Sequence, residues 1–195
     1  MTVEQLSPIF VANEQHAGGP MSKLGNYDSL TGLLCRSAFE VDKASPEFAG
    51  RISAVFMINF DQFSKVNREH GRSVGDFLLA MSADRLSNLD HSFRKISYRY
   101  EGDRFVQLVL SDSPLNKEQL ESIAKDIQCQ LQRQIRLSDR SVELSCTVTA
   151  ATISEDLPLN RIVSEALLFS AELKYKGPGQ LHILCSDDGA ESRVS

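Results

Sequence analysis

Hydrophobic positions along the chain follow two periods, and the switches between them mark the elements. Ile52 to Phe60 is almost continuously apolar between Gly50 and Asp61, the pattern of a central strand covered on both faces. Val142, Leu144, Cys146, Val148 and Ala150 alternate with Glu143, Ser145, Thr147 and Thr149, a period of two that predicts a strand over 142–150. Ile96 to Tyr100 and Phe105 to Leu110 read as two more strands, and Glu101-Gly102-Asp103-Arg104 between them predicts a hairpin. Gln180 to Cys185 is a short closing strand.

Helical spacing fills the gaps. Leu120, Ile123, Ala124, Ile127, Leu131 and Ile135 share one face of a helix over Asn116 to Arg136, which needs a sheet to lie on. Ile162, Val163, Ala166, Leu167 and Ser170 predict another over Leu159 to Leu173, and Leu79, Ala83 and Leu86 one over Asp76 to Leu89. Asp61 to Arg68 makes a shorter helix ending at Gly71, and Ser37 to Ser45 one that stops before Pro46, because the residue preceding proline is pushed out of the helical region. From Ile52 onward the order is β-α-α-β-β-α-β-α-β, an α+β domain in which helices cover a sheet. Residues 1–26, with Pro8, Gly18, Gly19, Pro20 and Gly25 around the apolar Ile9-Phe10-Val11, read as an N-terminal arm; 27–185 is the domain and 186–195 a polar tail.

Composition narrows the function. The 195 residues carry 21 Lys+Arg against 26 Asp+Glu, a net charge of −5, with 42% hydrophobic residues, which excludes bulk disorder and offers no basic footprint for nucleic acid. The longest apolar runs, such as Ala54 to Ile58, fall far short of the about 20 residues of a membrane span, so no membrane insertion is expected. The acidic start Met1-Thr2-Val3-Glu4 lacks the basic region of a secretory signal, and the expected location is cytoplasmic. Cys35, Cys129, Cys146 and Cys185 show no C-x-x-C pairing and read as reduced packing residues. His16, His70, His91 and His182 are scattered and read as surface or packing residues.

Four motifs occur in order. Asp28-Ser29-Leu30-Thr31-Gly32-Leu33-Leu34-Cys35-Arg36-Ser37-Ala38-Phe39 fits D-x-L-T-G-L-x-N-R-x-x-F except at Cys35. Asn59-Phe60-Asp61-Gln62-Phe63-Ser64-Lys65-Val66-Asn67-Arg68 follows D-x-D-x-F-K-x-x-N-D, and Gly71 with Gly75-Asp76 follows G-H-x-x-G-D. Arg99-Tyr100-Glu101-Gly102-Asp103-Arg104-Phe105 falls where R-Y-G-G-D/E-E-F would stand. Together these resemble the GGDEF family, the diguanylate cyclase domains of bacterial cyclic-di-GMP signalling, over roughly residues 27 to 185. The resemblance implies a palm-like fold with a central, mainly antiparallel five-stranded sheet flanked by helices.

It also implies where chemistry would sit. Joining two GTP molecules needs divalent metal held by carboxylates. The family's first metal carboxylate corresponds to Asn59, which is neutral; Asp103 remains as a vestigial metal ligand, with the carbonyl of Phe60 between, and Asp61 would share the Asn59 face if the strand continued. The phosphate cations of the family correspond to Ser64, Glu172 and Pro178, none of them basic. Lys65, Lys174 and Lys176 lie near in sequence but read as solvated surface lysines. In the hairpin signature Glu101, Gly102, Asp103, Arg104 and Phe105, Glu101 replaces a glycine and Arg104 an acid, though the two could pair weakly on the surface. The inhibitory R-x-x-D site corresponds to Ser92 and Lys95 with Arg94 between, and is expected to be absent.

Asn67 and Asp76 match the family's base-reading pair; equally, Asp76 would serve as the N-cap of a helix beginning near Phe77 and Asn67 as a local cap. The expectation is therefore a catalytically inactive GGDEF-like module, not an enzyme. Its partner would be another signalling protein, or a second copy in a homodimer. It would have no cofactor beyond a weakly held guanine nucleotide or Mg²⁺. Residues 1–26 are too few for a sensor module, so input is expected through a partner. The alternatives are a guanine-nucleotide sensor for GTP, GDP or cyclic-di-GMP, and a weak cyclase.

Overall fold

A computed structural model of the protein describes residues 26–46, 48, 50–89, 93–138, 140–172 and 177–184. In chain order these form β1 (Leu34–Cys35), α1 (Arg36–Ala44), β2 (Ile52–Phe60), α2 (Phe63–His70), α3 (Arg72–Ser87), β3 (Arg94–Glu101) and β4 (Arg104–Leu110). Then come α4 (Lys117–Leu131), β5 (Ile135–Arg136), β6 (Ser141–Val142), β7 (Cys146–Thr152), α5 (Leu159–Glu172) and β8 (Leu181–Leu184). The five strands expected from the hydrophobic pattern are all present, as β2, β3, β4, β7 and β8, and the two-residue β1 adds a sixth at one edge. The sheet runs β1-β3-β4-β2-β7-β8, antiparallel except at its two edge pairs, while β5 and β6 form a separate ribbon.

Alternation along β2 divides the core in two. Ala54, Phe56, Ile58 and Phe60 face one cluster under α2, α3 and α4, whereas Val55 and Met57 face another under α1 and α5. The expected hairpin is the β3–β4 connection, with Gly102 at φ +57, the left-handed region in which a side chain would be strained.

Three boundaries differ from expectation, each for a physical reason. Helix α3 begins at Arg72, not Asp76, because the chain turns at Gly71 (φ +86) and the Gly75 amide already donates to the Gly71 carbonyl at 3.1 Å. Asp76 thus lies inside the helix and is not its N-cap, and Asn67 lies within α2, so the capping reading of this pair is wrong. Helix α4 stops at Leu131, short of Arg136; the Arg85 guanidinium takes the carbonyls of Gln130, Arg133 and Gln134 at 3.3, 2.6 and 3.2 Å, freeing Ile135 to pair with Val142 in the ribbon. The strand expected over 142–150 is broken between β6 and β7, although Val142, Leu144 and Cys146 keep their inward alternation across the break. Of the cysteines read as packing residues, Cys146 is buried, but Cys129 is exposed and Cys35 half-exposed; Cys185 lies outside the described residues.

The first motif is a clasp on the hairpin. Asp28 Oδ1 accepts from the Thr31 amide (2.9 Å), the Thr31 hydroxyl (2.7 Å) and Arg99 Nη1 (2.9 Å), and Arg99 also donates through Nε and Nη2 to the Gly102 carbonyl at 3.1 and 2.9 Å. Burial pushes the Asp28 carboxyl up, but the hydrogen bonds from Thr31 and Arg99 outweigh it and hold the group below the usual carboxylate value. A depressed folded value stabilises the fold fully above the unfolded carboxylate's value, and that contribution fades as pH falls through the folded one. Asp28→Asn is therefore expected to melt below the wild type near about pH 7, with the gap closing as the pH drops below about 4. Thermal melts of both proteins across that range check this; a gap constant with pH refutes it.

Candidate functional site

The chemistry-bearing positions collect where β2 ends beside the hairpin. Asn59 on β2 stands in register with Arg104 on β4, and the Phe60 amide donates to the Asp103 carbonyl at 3.2 Å. Asn59, Asp103 and Arg104 are thus brought together, as the motif spacing predicts. A narrow cleft under α5 is lined by Asn59, Arg104, Thr147, Thr149, Ala166 and Leu167. Its polar contributors are an amide, a guanidinium and two hydroxyls. For a divalent cation the set offers one carboxylate, Asp103, with the Phe60 carbonyl and the Asn59 amide; hard cations favour several charged oxygen ligands, and the adjacent guanidinium opposes one. These residues do not fit a bound metal.

Asp61 does not join this set. The chain turns at Gln62 (φ +52), and the Asp61 carboxylate accepts instead from the Ser145 hydroxyl at 2.8 Å, the Thr147 hydroxyl at 2.8 Å and the Gly179 amide at 2.7 Å. Its own amide donates to the Ser145 carbonyl at 2.8 Å. The expectation that Asp61 would share the Asn59 face fails because the strand ends at Phe60 and the side chain is committed to β7 and the turn before β8. Beside it, burial and then the Asp61 charge push the Cys146 thiol up to about 12, so Cys146 stays protonated and inert.

Asn67 lies on α2 and Asp76 on α3, the helices that join at Gly71. A Cβ added at Gly75 would stand 1.9 Å from Asn67 Oδ1, so the asparagine side chain lies directly against the glycine that precedes Asp76. Among the described residues neither the Asn67 amide nor the Asp76 carboxylate makes a hydrogen bond, and Asp76 is exposed. Phe63 links this corner to the end of β2, with its ring centroid 6.1 Å from that of Phe60. On the phosphate side, Ser64 is exposed on α2, Pro178 is exposed in the turn before β8, and Lys65 pairs with Glu69 at 3.9 Å on the surface. Glu172 ends α5. Lys174, Lys176, Ser92, His16 and His91 lie outside the described residues. Arg94 and Lys95 both lie on β3, where Lys95 Nζ reaches the Leu86 carbonyl at 3.5 Å. Glu101 and Arg104 form the expected surface pair at 3.6 Å, and Arg36 joins them, 3.7 Å from the same carboxylate. Sequence reasoning missed Arg36 and the Asp61 anchor; the only signal for either was its place inside a motif.

The family described as "Diguanylate cyclase, GGDEF domain" matches residues 25–180. The cyclic di-GMP phosphodiesterase PdeB of Shewanella oneidensis is 29% identical over 185 residues, covering 91% of this chain and 21% of PdeB. The cyclic di-GMP phosphodiesterase PdeR of Escherichia coli is 32% identical over 148 residues, covering 74% of this chain and 22% of PdeR, so the chain spans about a fifth of the length of these relatives. Among solved structures, the GGDEF domain of YfiN from Pseudomonas aeruginosa superposes with a TM-score of 0.66 at 27% identity, over 83% of this chain and 96% of that one. No helix among the described residues is long and apolar enough to cross a membrane.

Because Asp61 joins β2, β7 and the turn before β8, its role is read out in stability. Asp61→Ala leaves the largely buried Thr147 hydroxyl without its acceptor and is expected to cost about 2 to 4 kcal/mol, with Asp61→Asn losing less. Urea unfolding with an unchanged m-value checks this; an unaltered midpoint for the alanine variant refutes it.

Proposed function

This chain belongs to the GGDEF family, and we propose that within it the domain is a non-catalytic module of cyclic-di-GMP-related regulation that acts by contact with another signalling protein. The observation that carries this reading is the cross-strand pair Asn59–Arg104: an amide stands at the place of a metal carboxylate and a guanidinium at the place of its acidic neighbour. Attack of one GTP's 3′-hydroxyl on the α-phosphate of another, with pyrophosphate leaving, needs metal charge on the attacked phosphate, and each missing contact alone costs several kcal/mol of transition-state stabilisation. Asp61, the one carboxylate near enough in sequence to compensate, is engaged elsewhere. The purified protein is expected to make no cyclic-di-GMP from GTP with Mg²⁺ or Mn²⁺, and Asn59→Asp alone not to restore turnover. Product formation abolished by Asp103→Ala overturns the reading.

A second reading, guanine-nucleotide sensing without turnover, is favoured by the Asn67–Asp76 corner. With capping removed as an explanation, neither side chain makes a hydrogen bond among the described residues: Asn67 is half-buried on α2 against Gly75, and Asp76 is exposed on α3 next to that glycine in the chain. A carboxylate and an amide are the groups that suit the ring N–H, amino group and edge of guanine. Calorimetry is expected to show GDP and GTP binding alike at about 10 to 1,000 μM, corresponding to roughly 4 to 7 kcal/mol, with little dependence on Mg²⁺. Asp76→Asn is expected to abolish it. Absence of binding by either nucleotide at millimolar concentration refutes this second reading and leaves the protein-contact role.

A further inference from the structure

Two arginines at the hairpin tip converge on a single oxygen atom. Arg36 Nη1 lies 3.7 Å and Arg104 Nη1 3.6 Å from the same Glu101 Oε2. Both separations exceed hydrogen-bond length, so the carboxylate offsets charge without saturating either fork. Neither guanidinium makes a hydrogen bond among the described residues, and the Arg104 Nε is buried without a partner. The third arginine of the region, Arg99, differs in kind: all of its bonds go to Asp28 and the Gly102 carbonyl.

The Arg36 fork is held in place before any ligand arrives, and the Arg104 side chain starts from a fixed point on the sheet. The Arg36 guanidinium lies 4.6 Å above the centre of the Tyr100 ring, and Tyr100 is itself buried and packed edge-on against Phe39. The inner end of Arg104 is fixed on β4 next to Asn59. The outer ends remain open, with the two side chains 52% and 35% exposed. Glu101 between them is 60% exposed, and an exposed ion pair of this kind contributes little and yields readily to a better anion.

We propose that Arg36 and Arg104 form an oxyanion site for the phosphate group of a small-molecule ligand, which Glu101 fills from within while the site is unliganded. A phosphate presents three oxygens and up to two negative charges, and so can accept from both planar forks at once, whereas the Glu101 oxygen between them lies beyond hydrogen-bond length of each. The site needs no metal. Arg36 is absent from the positions assigned to base or metal, and the site does not depend on how Asn67 and Asp76 are used.

Inorganic pyrophosphate, which carries no base, is the probe, titrated with chelator present and at low salt into ¹⁵N-labelled protein. The wild type is expected to saturate in the millimolar range, with the Nε–Hε resonances of Arg36 and Arg104 shifting while that of Arg99 holds. Glu101→Gln removes the internal competitor and is expected to tighten binding about fivefold or more, and Arg36→Gln and Arg104→Gln each to weaken it by about the same factor. Glu101→Ala serves as a second competitor-free variant. A parallel GDP titration separates the ligand's source: GDP far tighter than pyrophosphate identifies a nucleotide, and equal affinity a free phosphate compound, with the same two arginines shifting in either case. No saturable binding by either Glu101 variant, or affinity unchanged in both arginine variants, overturns the proposal.

Discussion

Strand β2 is buried on both faces, with strands hydrogen-bonded along both edges, and the position of every candidate group follows from its register. Side chains alternate, so Phe60 must enter the core under α2 to α4 while Asn59 faces the other side beside Arg104. A slip of one residue would exchange the two and put an amide into a cluster of phenylalanines, where Phe60 packs edge-on to Phe105 at 5.8 Å. The end of the strand is held just as firmly. The Phe60 amide is bound to the hairpin turn and the Asp61 amide to Ser145 just before β7, so the chain leaves the sheet at one defined point.

Around that point the polar side chains divide into two kinds. Asp28 and Arg99 bond each other and, like Asp61, bond backbone groups or hydroxyls that hold the loops to the sheet. Gln128 does the same for the turn before β8, its amide donating to the carbonyls of Cys146, Gly179 and Gln180 at 3.1, 3.3 and 2.9 Å. Arg36, Glu101 and Arg104 are joined by long ion pairs, which contribute little to stability and leave donors available, and Arg36 is stacked on Tyr100. The scaffold of the site is thus saturated while its outward chemistry is open.

Much of this was legible in the residues, and the exceptions have common causes. The strand Ile52–Phe60 and the hairpin turn were read to the residue, because an apolar run bounded by Gly50 and Asp61 and a Gly-Asp pair between two strand-like segments are strong local signals. The start of α3 was missed because its first turn carries Gly75, a poor helix former, and no apolar period. The early end of α4 depends on Arg85, which lies on another helix and sends no signal along the chain. The break between β6 and β7 is invisible to a period-two pattern, since both sides of it keep the same inward alternation. Motif spacing brought Asn59, Asp103 and Arg104 together correctly, yet the face it offered Asp61 on condition that the strand continued is not taken up, because the strand ends at Phe60.

Gly75 ties local strain to the use of the site. A glycine inside a helix costs about 1 kcal/mol relative to alanine. Here the cost is offset by nothing in the α3 backbone itself; it permits the close approach of the Asn67 side chain, which a Cβ would exclude. That approach seats a half-buried amide beside Gly75, next in the chain to an exposed carboxylate, and neither group makes a hydrogen bond among the described residues. A polar pair left in this state must take its hydrogen bonds from water or from a ligand, since leaving them unmade costs more than a typical bond contributes. The geometry that spends helix stability at Gly75 therefore holds the Asn67 amide against α3, at a corner that the Phe60–Phe63 contact joins to the end of β2.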